Sequence, residues 1–489
     1  MKIRKIMLVR SGVRIPWGNF TQPLGLLYLV SVLRREFPGQ FEIDLVEQAL
    51  YNLTAREMRQ RIAAFKPDVI GFSCISLEAE DMAEVAAAAK EFNPQCLVIL
   101  GGPHAKFFYD HALENPAIDI AVIGEGERTF PELLRKLIAA QPLDDVNGIA
   151  YKKDGRVVLA AAREPIEELD SLPLPAWDLV DFTRYNKVAS MNGYCHSKPW
   201  AVILTSRGCP FHCAYCHDIF GKKARLRSPE NVLAEIELLT GTYGVKEIHI
   251  VDDIFNIDLA RAKRICDLIV ERNIKITIAF PNALRIDIMD RELLQKLKMA
   301  GCYVVTYAIE TASPRIQKLL GKNVDLDKAL QVIKWTHEEN IITHGFFMIG
   351  FPGETRAEMA LTGKWALESE LWLPIFFMAV VYPRTRLLEI ARATYPAFDF
   401  SKWEMRDLQY RMGESFYEKA TGVELSRIHL DMVRRGYFKF AKKILTSMPF
   451  PGNMVFLLSF IWWALPRGSV IVRKIESFMY PGPQQSPRG

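Results

Sequence analysis

The stretch Ser206-Arg-Gly-Cys-Pro-Phe-His-Cys-Ala-Tyr-Cys-His217 (SRGCPFHCAYCH) closes an apolar run, AVILTS, and sets three cysteines within eight residues. A disulfide needs pairs, and a closed zinc site needs four ligands. Thiolates at i, i+4 and i+7, on a loop turned by Gly208 and Pro210, can converge on one face. Such a set, Cys209, Cys213 and Cys216, can hold three corners of a four-iron, four-sulfur cluster and leave one iron open. Zinc with His212 or His217 as fourth ligand, or three ordinary buried cysteines, are the competing readings. Zinc more often draws its ligands from two separated stems.

Outward from this loop the chain alternates. Downstream, strand candidates AVILTS, EIHIVD, KITIAF, YVVTYAI, THGFFMI and FMAVVY are separated by helical runs. Six βα units predict a partial barrel whose site lies at the carboxyl ends of its strands, which is where the cysteine loop falls. Upstream, IRKIMLV, EIDLVE, DVIGFS, QCLVILG and IDIAVIG alternate with PLGLLYLVSVLRREF, AREMRQRIAAF, LEAEDMAEVAAAAKEF and RTFPELLRKLIAA. That order predicts a parallel, doubly wound sheet. Its strand ends carry turn chemistry at Ser73-Cys74-Ile75-Ser76, Gly101-Gly102-Pro103-His104 and Gly124-Glu125-Gly126-Glu127, where such folds bind ligands. GIAYKKDGRVVLA reads as a hairpin about Asp154-Gly155. The expected class is α/β: a Rossmann-type domain over 1–145, a hairpin and linker over 146–198, a TIM-like (βα)6 barrel over 199–390 and a helical basic, aromatic region over 391–489.

The chain has 489 residues, 49% of them apolar, and a net charge of +5. From Leu425 onward ten Lys/Arg face two acids, a net of +8, so the rest is slightly acidic. A nucleic-acid binder would spread its basic surface differently, and no nucleic-acid partner is expected. Of eight cysteines, five stand singly in apolar surroundings, which suits a reducing cytoplasm. The start, MKIRKIMLV, reads as a first strand and not a signal peptide. The longest apolar run of the tail, MVFLLSFIWWAL, is too short to cross a bilayer as a helix. Arg434, Arg435, Lys439, Lys442 and Lys443, interleaved with Tyr437, Phe438, Phe440, Ile444 and Leu445, fit either an interfacial membrane anchor or a helical lid on the barrel. The expected location is cytoplasmic, with peripheral contact at the inner membrane face.

CxxxCxxC with Tyr215 before the last cysteine resembles the signature of the radical S-adenosylmethionine (SAM) superfamily. The resemblance implies that SAM chelates the open iron and is cleaved to a 5′-deoxyadenosyl radical, with an electron donor such as flavodoxin or ferredoxin. It implies SAM contacts at Asp252 and Asp253 in a DDxF segment, Arg285, Glu310 at the ribose position, and Gly350 in GFPGET. The bland alternatives are helix-capping acids for the aspartates and a surface salt bridge for Arg285. Arg384 stands where related proteins usually have glycine.

QPLGLLYLVSVLR, KPDVIGFS, VILGGPHA and IAVIGEGERTF resemble the cobalamin-binding subfamily, similar to the anaerobic Mg-protoporphyrin ester cyclase, hopanoid and class B methylase group. This implies cobalamin against Ser73, Gly101, Gly102, His104, Gly124, Glu125, Gly126 and Glu127. The usual D-x-H-x-x-G cobalt-ligand loop is absent. A sheet that keeps the fold without binding cobalamin is the other reading. The implied reaction is methylation of an unactivated carbon of a hydrophobic substrate, an isoprenoid lipid or a tetrapyrrole. The alternative is oxidative cyclisation or ring remodelling without methyl transfer. A more distant one, methylthiolation of tRNA, would want three cluster cysteines before residue 150, where only Cys74 and Cys96 occur. A non-enzymatic electron carrier would not need Glu310 or the GFPGET turn.

Overall fold

The computed structural model describes residues 2–12, 20–216, 219–400 and 415–447; His217 and the Trp-rich run 456–465 lie outside them. The first sheet has the order β2-β1-β3-β4-β5-β6-β7. Its strands are β1 (Lys5–Arg10), β2 (Glu42–Glu47), β3 (Val69–Ser73), β4 (Leu97–Gly101), β5 (Ile120–Val122), β6 (Ile149–Lys153) and β7 (Arg156–Leu159). The first five are mutually parallel, and β6 and β7 are added antiparallel. The hairpin therefore continues the first sheet. Asp154 (φ 50°) and Gly155 (φ 75°) both take the left-handed conformation that a tight two-residue turn demands. The sheet is apolar on both faces, as a strand sandwiched between helix layers must be.

One helix was not anticipated. Gly102–Glu114 begins directly at the end of β4, with Pro103 in its first turn. A Cβ on Gly102 (φ 81°) would stand 2.8 Å from the Cys74 amide nitrogen, so only glycine lets β4 turn into this helix.

The second sheet has the order β15-β14-β13-β12-β11-β8 and is parallel throughout. Its strands are β8 (Trp200–Ile203), β11 (Glu247–Ile250), β12 (Thr277–Leu284), β13 (Cys302–Glu310), β14 (Ile342–Ile349) and β15 (Leu373–Met378). Between β8 and β11 the short strands β9 (Ser206–Arg207) and β10 (Arg225–Leu226) pair antiparallel. The last strand lies upstream of FMAVVY: LPIFFM forms it, and Pro374 is tolerated because β15 is an edge.

The outer faces of β14 and β15 are filled by aromatic packing. Phe347 lies 5.9 Å from Trp365 of helix Arg356–Glu368 and 5.5 Å from Phe376. Helix Leu425–Ser447 then lies along β15, burying Met432, Phe440 and Ile444. Lys439 Nζ donates to the carbonyls of Ala366 (3.2 Å), Leu367 (3.0 Å) and Ser369 (2.5 Å), capping helix Arg356–Glu368. The basic, aromatic stretch 434–445 thus lies in a helix packed on β15. Among the described residues no helix is long and apolar enough to cross a membrane.

Candidate functional site

The cysteine loop projects from the carboxyl end of β8. Asp252, at the end of β11, is buried and accepts from Thr205 N (2.6 Å), Thr205 Oγ1 (2.5 Å) and Ser206 Oγ (2.6 Å). Burial raises its pKa, opposed by Arg261 and these donors. Asp253 Oδ2 accepts from Gly208 N at 3.1 Å. Both aspartates therefore fix the root of the loop. Helix capping does not explain them, and Asp252 has its oxygens committed within the protein.

Within the loop, Cys209 N donates to Gly221 O, Cys216 N to Cys213 O, and Ala214 N to Leu320 O. All three cysteines are free of disulfides, and Cys216 is exposed. Among the described residues only Cys195, Glu247 and His249 bring three ligand atoms within 4.8 Å of one another. The three loop thiols do not form such a group. Glu247, in turn, is saturated by hydrogen bonds from Ser197 N, Tyr303 Oη and Thr277 Oγ1 and by contact with His249 Nε2. Glu247 is thereby engaged at the amino end of the strands, while His249 Nδ1 is buried without a hydrogen-bond partner.

Around the loop stand the other strand ends. Tyr215 Oη donates to Glu310 Oε1 at 2.8 Å, and Lys322 Nζ lies 3.6 Å from the same oxygen. Glu310 is buried and holds φ 72°, a strained value for a non-glycine residue. Burial raises its carboxyl pKa, countered by Lys322 and Tyr215. Arg285 is buried: it pairs with Asp287, donates to Lys322 O and stacks on Phe211, 3.6 Å from the ring centroid. Surface pairing does not describe it; it braces the cysteine loop. Gly350 (φ 82°) and Phe351 donate their amides to Glu354 Oε2. Burial pushes Glu354 up to about 7. Lys322, Phe211 and Thr205 carried no sequence signal, because their partners are distant in the chain.

At the carboxyl ends of β1, β3, β4 and β5 lies a cavity of about 340 Å³. Ser73, Gly101, Gly102, Gly124, Glu125, Gly126 and Glu127 line it, with Leu8, Tyr28, Leu29 and Phe72 giving it an apolar wall. A Cβ on Gly124 would meet nothing within 4 Å, so the wall is open there. The opposite side is closed by Leu204, Arg207, Ile219 and Phe220, from the segment between β8 and β10. These residues fit one face of a large, flat, mostly apolar group. His104 does not line the cavity. It is buried, stacked on Phe108 and 3.3 Å from Ser76 Oγ, and burial lowers it to about 4, so it is neutral. Burial alone would raise Glu125, but Arg207 and Arg225 hold it below its ordinary value. The Glu125 and Glu127 carboxylates are engaged by arginines (Arg207 to both, Arg225 to Glu125). Arg384 (φ 61°) reaches Asp110 at 3.2 Å and covers the Tyr109 ring, so it joins the segment after β15 to helix Gly102–Glu114.

On the concave side of β14 and β15, Phe346 pairs in register with Ile375 and Met348 with Phe377. All four are half-buried, whereas their neighbours Phe347, Ile349, Phe376 and Met378 are buried. These four side chains make this part of β14 and β15 an apolar, partly exposed surface.

Comparison with known proteins matches residues 203–366 to the Radical SAM superfamily and residues 10–134 to the B12 binding domain. An uncharacterized methyltransferase of Pyrococcus horikoshii is 34% identical, over 80% of this chain and 84% of that protein. The cytidylyl-2-hydroxyethylphosphonate methyltransferase of Streptomyces wedmorensis is 30% identical, over 77% of this chain and 80% of its own. The anaerobic magnesium-protoporphyrin IX monomethyl ester cyclase of Rubrivivax gelatinosus is 28% identical, over 79% and 69%.

Proposed function

Because the chain belongs to the cobalamin-binding radical SAM enzymes, using a [4Fe-4S] cluster, SAM and cobalamin, we propose that it methylates an unactivated carbon of a hydrophobic substrate held in the barrel lumen. The observation that carries the substrate class is the partly exposed apolar surface of Phe346, Met348, Ile375 and Phe377. Burying four such side chains against a ligand contributes several kcal/mol, about 25 cal/mol per Å² of apolar surface. A polar nucleotide conjugate, named for the Streptomyces relative, would gain little there. An isoprenoid lipid or a tetrapyrrole would gain most.

When bound, the cofactors supply a hydrogen-abstracting carbon radical and a methyl carrier. The chain's own groups bind and orient. Cys209, Cys213 and Cys216 hold the cluster, and Asp252 and Asp253 keep the loop root in place. Tyr215 and Glu310 offer SAM a hydroxyl and a carboxylate beside the Gly350 turn, with Arg285 and Phe211 behind them. The cavity below the Gly124 turn takes cobalamin. A reductant protein supplies the electron.

Anaerobic reconstitution with iron, sulfide, SAM and cobalamin, followed by mass analysis of lipid and pigment extracts, tests the reading. A gain of one methylene unit is expected. 5′-Deoxyadenosine without that gain would replace methyl transfer by the oxidative or ring-forming reaction that the cyclase relative's name describes.

We further propose peripheral membrane contact. Leu430, Phe438 and Leu445 are 47%, 75% and 58% exposed on one face of helix Leu425–Ser447, beside Arg434, Arg435 and Lys442. Flotation with anionic liposomes should drop in a Phe438→Ser/Leu445→Ser variant; equal flotation would remove the proposal.

A further inference from the structure

The cysteine loop has a neck. Ser206–Arg207 pairs antiparallel with Arg225–Leu226, so residues 208–224 leave and return through a two-stranded ribbon. Each neck strand carries an arginine, and both guanidinium groups end on one carboxylate of the other domain. Arg207 Nη1 donates to Glu125 Oε1 and Arg225 Nη1 to Glu125 Oε2, each at 2.7 Å. Arg207 Nη2 also reaches Glu127 Oε1 at 2.6 Å. The side chains of Arg207, Arg225 and Glu125 are 6%, 2% and 8% exposed.

The same group forms the wall of the cavity. Arg207 and Glu125 both line it, as does Phe220. The Arg207 guanidinium sits between the rings of Tyr28 (5.2 Å) and Phe220 (5.4 Å), and Arg225 Nη2 donates to the Phe220 carbonyl. Whatever fills the cavity therefore touches the neck of the loop that carries the cysteines.

We propose that Glu125 is a positioning residue that joins cobalamin binding to cluster retention, by tying both strands of the loop neck to the cavity wall. The inference rests on the cofactor assignment above but not on methyl transfer or on the substrate. Removing the shared carboxylate leaves Arg225 without an acidic partner and Arg207 with Glu127 alone, an excess of buried positive charge that opens the neck. By reciprocity, filling the cavity tightens the neck and protects the cluster.

The test uses the full chain with Glu125→Gln, reconstituted anaerobically with iron and sulfide, with and without hydroxocobalamin. The readouts are the rate of iron loss to a chelator, the EPR spectrum of the reduced cluster and the thermal midpoint. In the unsubstituted chain, hydroxocobalamin should slow iron loss. In Glu125→Gln, iron loss should be on the order of a hundredfold faster, as for a buried ion pair that loses one partner, cobalamin should no longer protect, and the EPR g-values should move. Asp178→Asn, which breaks the exposed Arg34–Asp178 pair, should change none of these. Unchanged iron loss and EPR in Glu125→Gln, with only a lower melting point, would overturn the proposal, as would failure of hydroxocobalamin to bind. If Glu125→Gln does not fold, hydrogen exchange in the unsubstituted chain decides. Hydroxocobalamin should slow the amides of 206–208 and 219–226; protection confined to residues before 150 would overturn it. Absence of a methylated product bears only on the function proposed earlier.

Discussion

Replacing Gly208 by alanine should empty the cluster site while leaving the barrel folded. Gly208 holds φ 84°, and a Cβ there would stand 2.4 Å from Lys223 O, 2.9 Å from Gly221 O and 3.2 Å from Phe220 O. All three are backbone atoms, so no side chain can rotate aside. The left-handed conformation costs alanine about 1–2 kcal/mol. Overpacking against fixed neighbours adds about 1–3 kcal/mol, for roughly 2–5 kcal/mol in all. The chain can avoid that cost by letting the β9–β10 neck open, because the six barrel strands do not run through it. About 3 kcal/mol corresponds to a more than hundredfold shift toward the open neck. Iron and sulfide per chain, measured after identical anaerobic reconstitution, should fall severely, and the thermal midpoint should move little. Gly221→Ala is the control: Gly221 has φ 90°, but a Cβ there meets nothing within 4 Å. It carries the backbone cost alone and should lose far less iron. Equal iron in Gly208→Ala and the unsubstituted chain, or equal loss in both variants, would refute the reasoning.

Three other outcomes follow from the geometry. Glu354 is raised to about 7 by burial, so its stabilising contribution is complete below the unfolded value near 4.5 and is lost as pH rises toward 7. Glu354→Gln should match the unsubstituted chain near pH 5 in urea unfolding and exceed it at pH 8 by up to about 3 kcal/mol; a pH-independent difference would count against it. Lys439→Met removes the donor to three carbonyls at the end of helix Arg356–Glu368 and should cost about 2–3 kcal/mol in the same assay. Tyr215→Phe leaves Glu310 with only the longer contact to Lys322; equilibrium dialysis should show SAM binding weakened about tenfold.

Hydrophobic period and strand-end glycines were enough to place both sheets, because parallel strands buried on both faces are near-continuous apolar runs. The errors lie where that signal fails. FMAVVY outranks LPIFFM in β-branched content, yet the strand is LPIFFM, since only there do Ile375 and Phe377 face the lumen while Phe376 and Met378 meet the helices. Helix Gly102–Glu114 was masked by its own Gly-Gly-Pro start. Motif residues were found, but their duties were not. Asp252 binds Thr205 and Ser206, and Glu125 binds arginines 82 and 100 residues away. Local sequence cannot show which distant partner takes up a carboxylate.

The helix that seals β15 is also the last described element to leave the ribosome. Gly436 brings it within reach of the β15 backbone, where a Cβ would stand 2.8 Å from Pro374 O. The strand ends at Met378, and its cover begins only at Leu425. Until those later residues are synthesised, the edge strand shows its unpaired backbone edge to water, a template for pairing with other chains. A message truncated anywhere between these points should yield insoluble protein even though both cofactor domains are complete. The C-terminal helix thus sets when the nascent chain becomes safe to release.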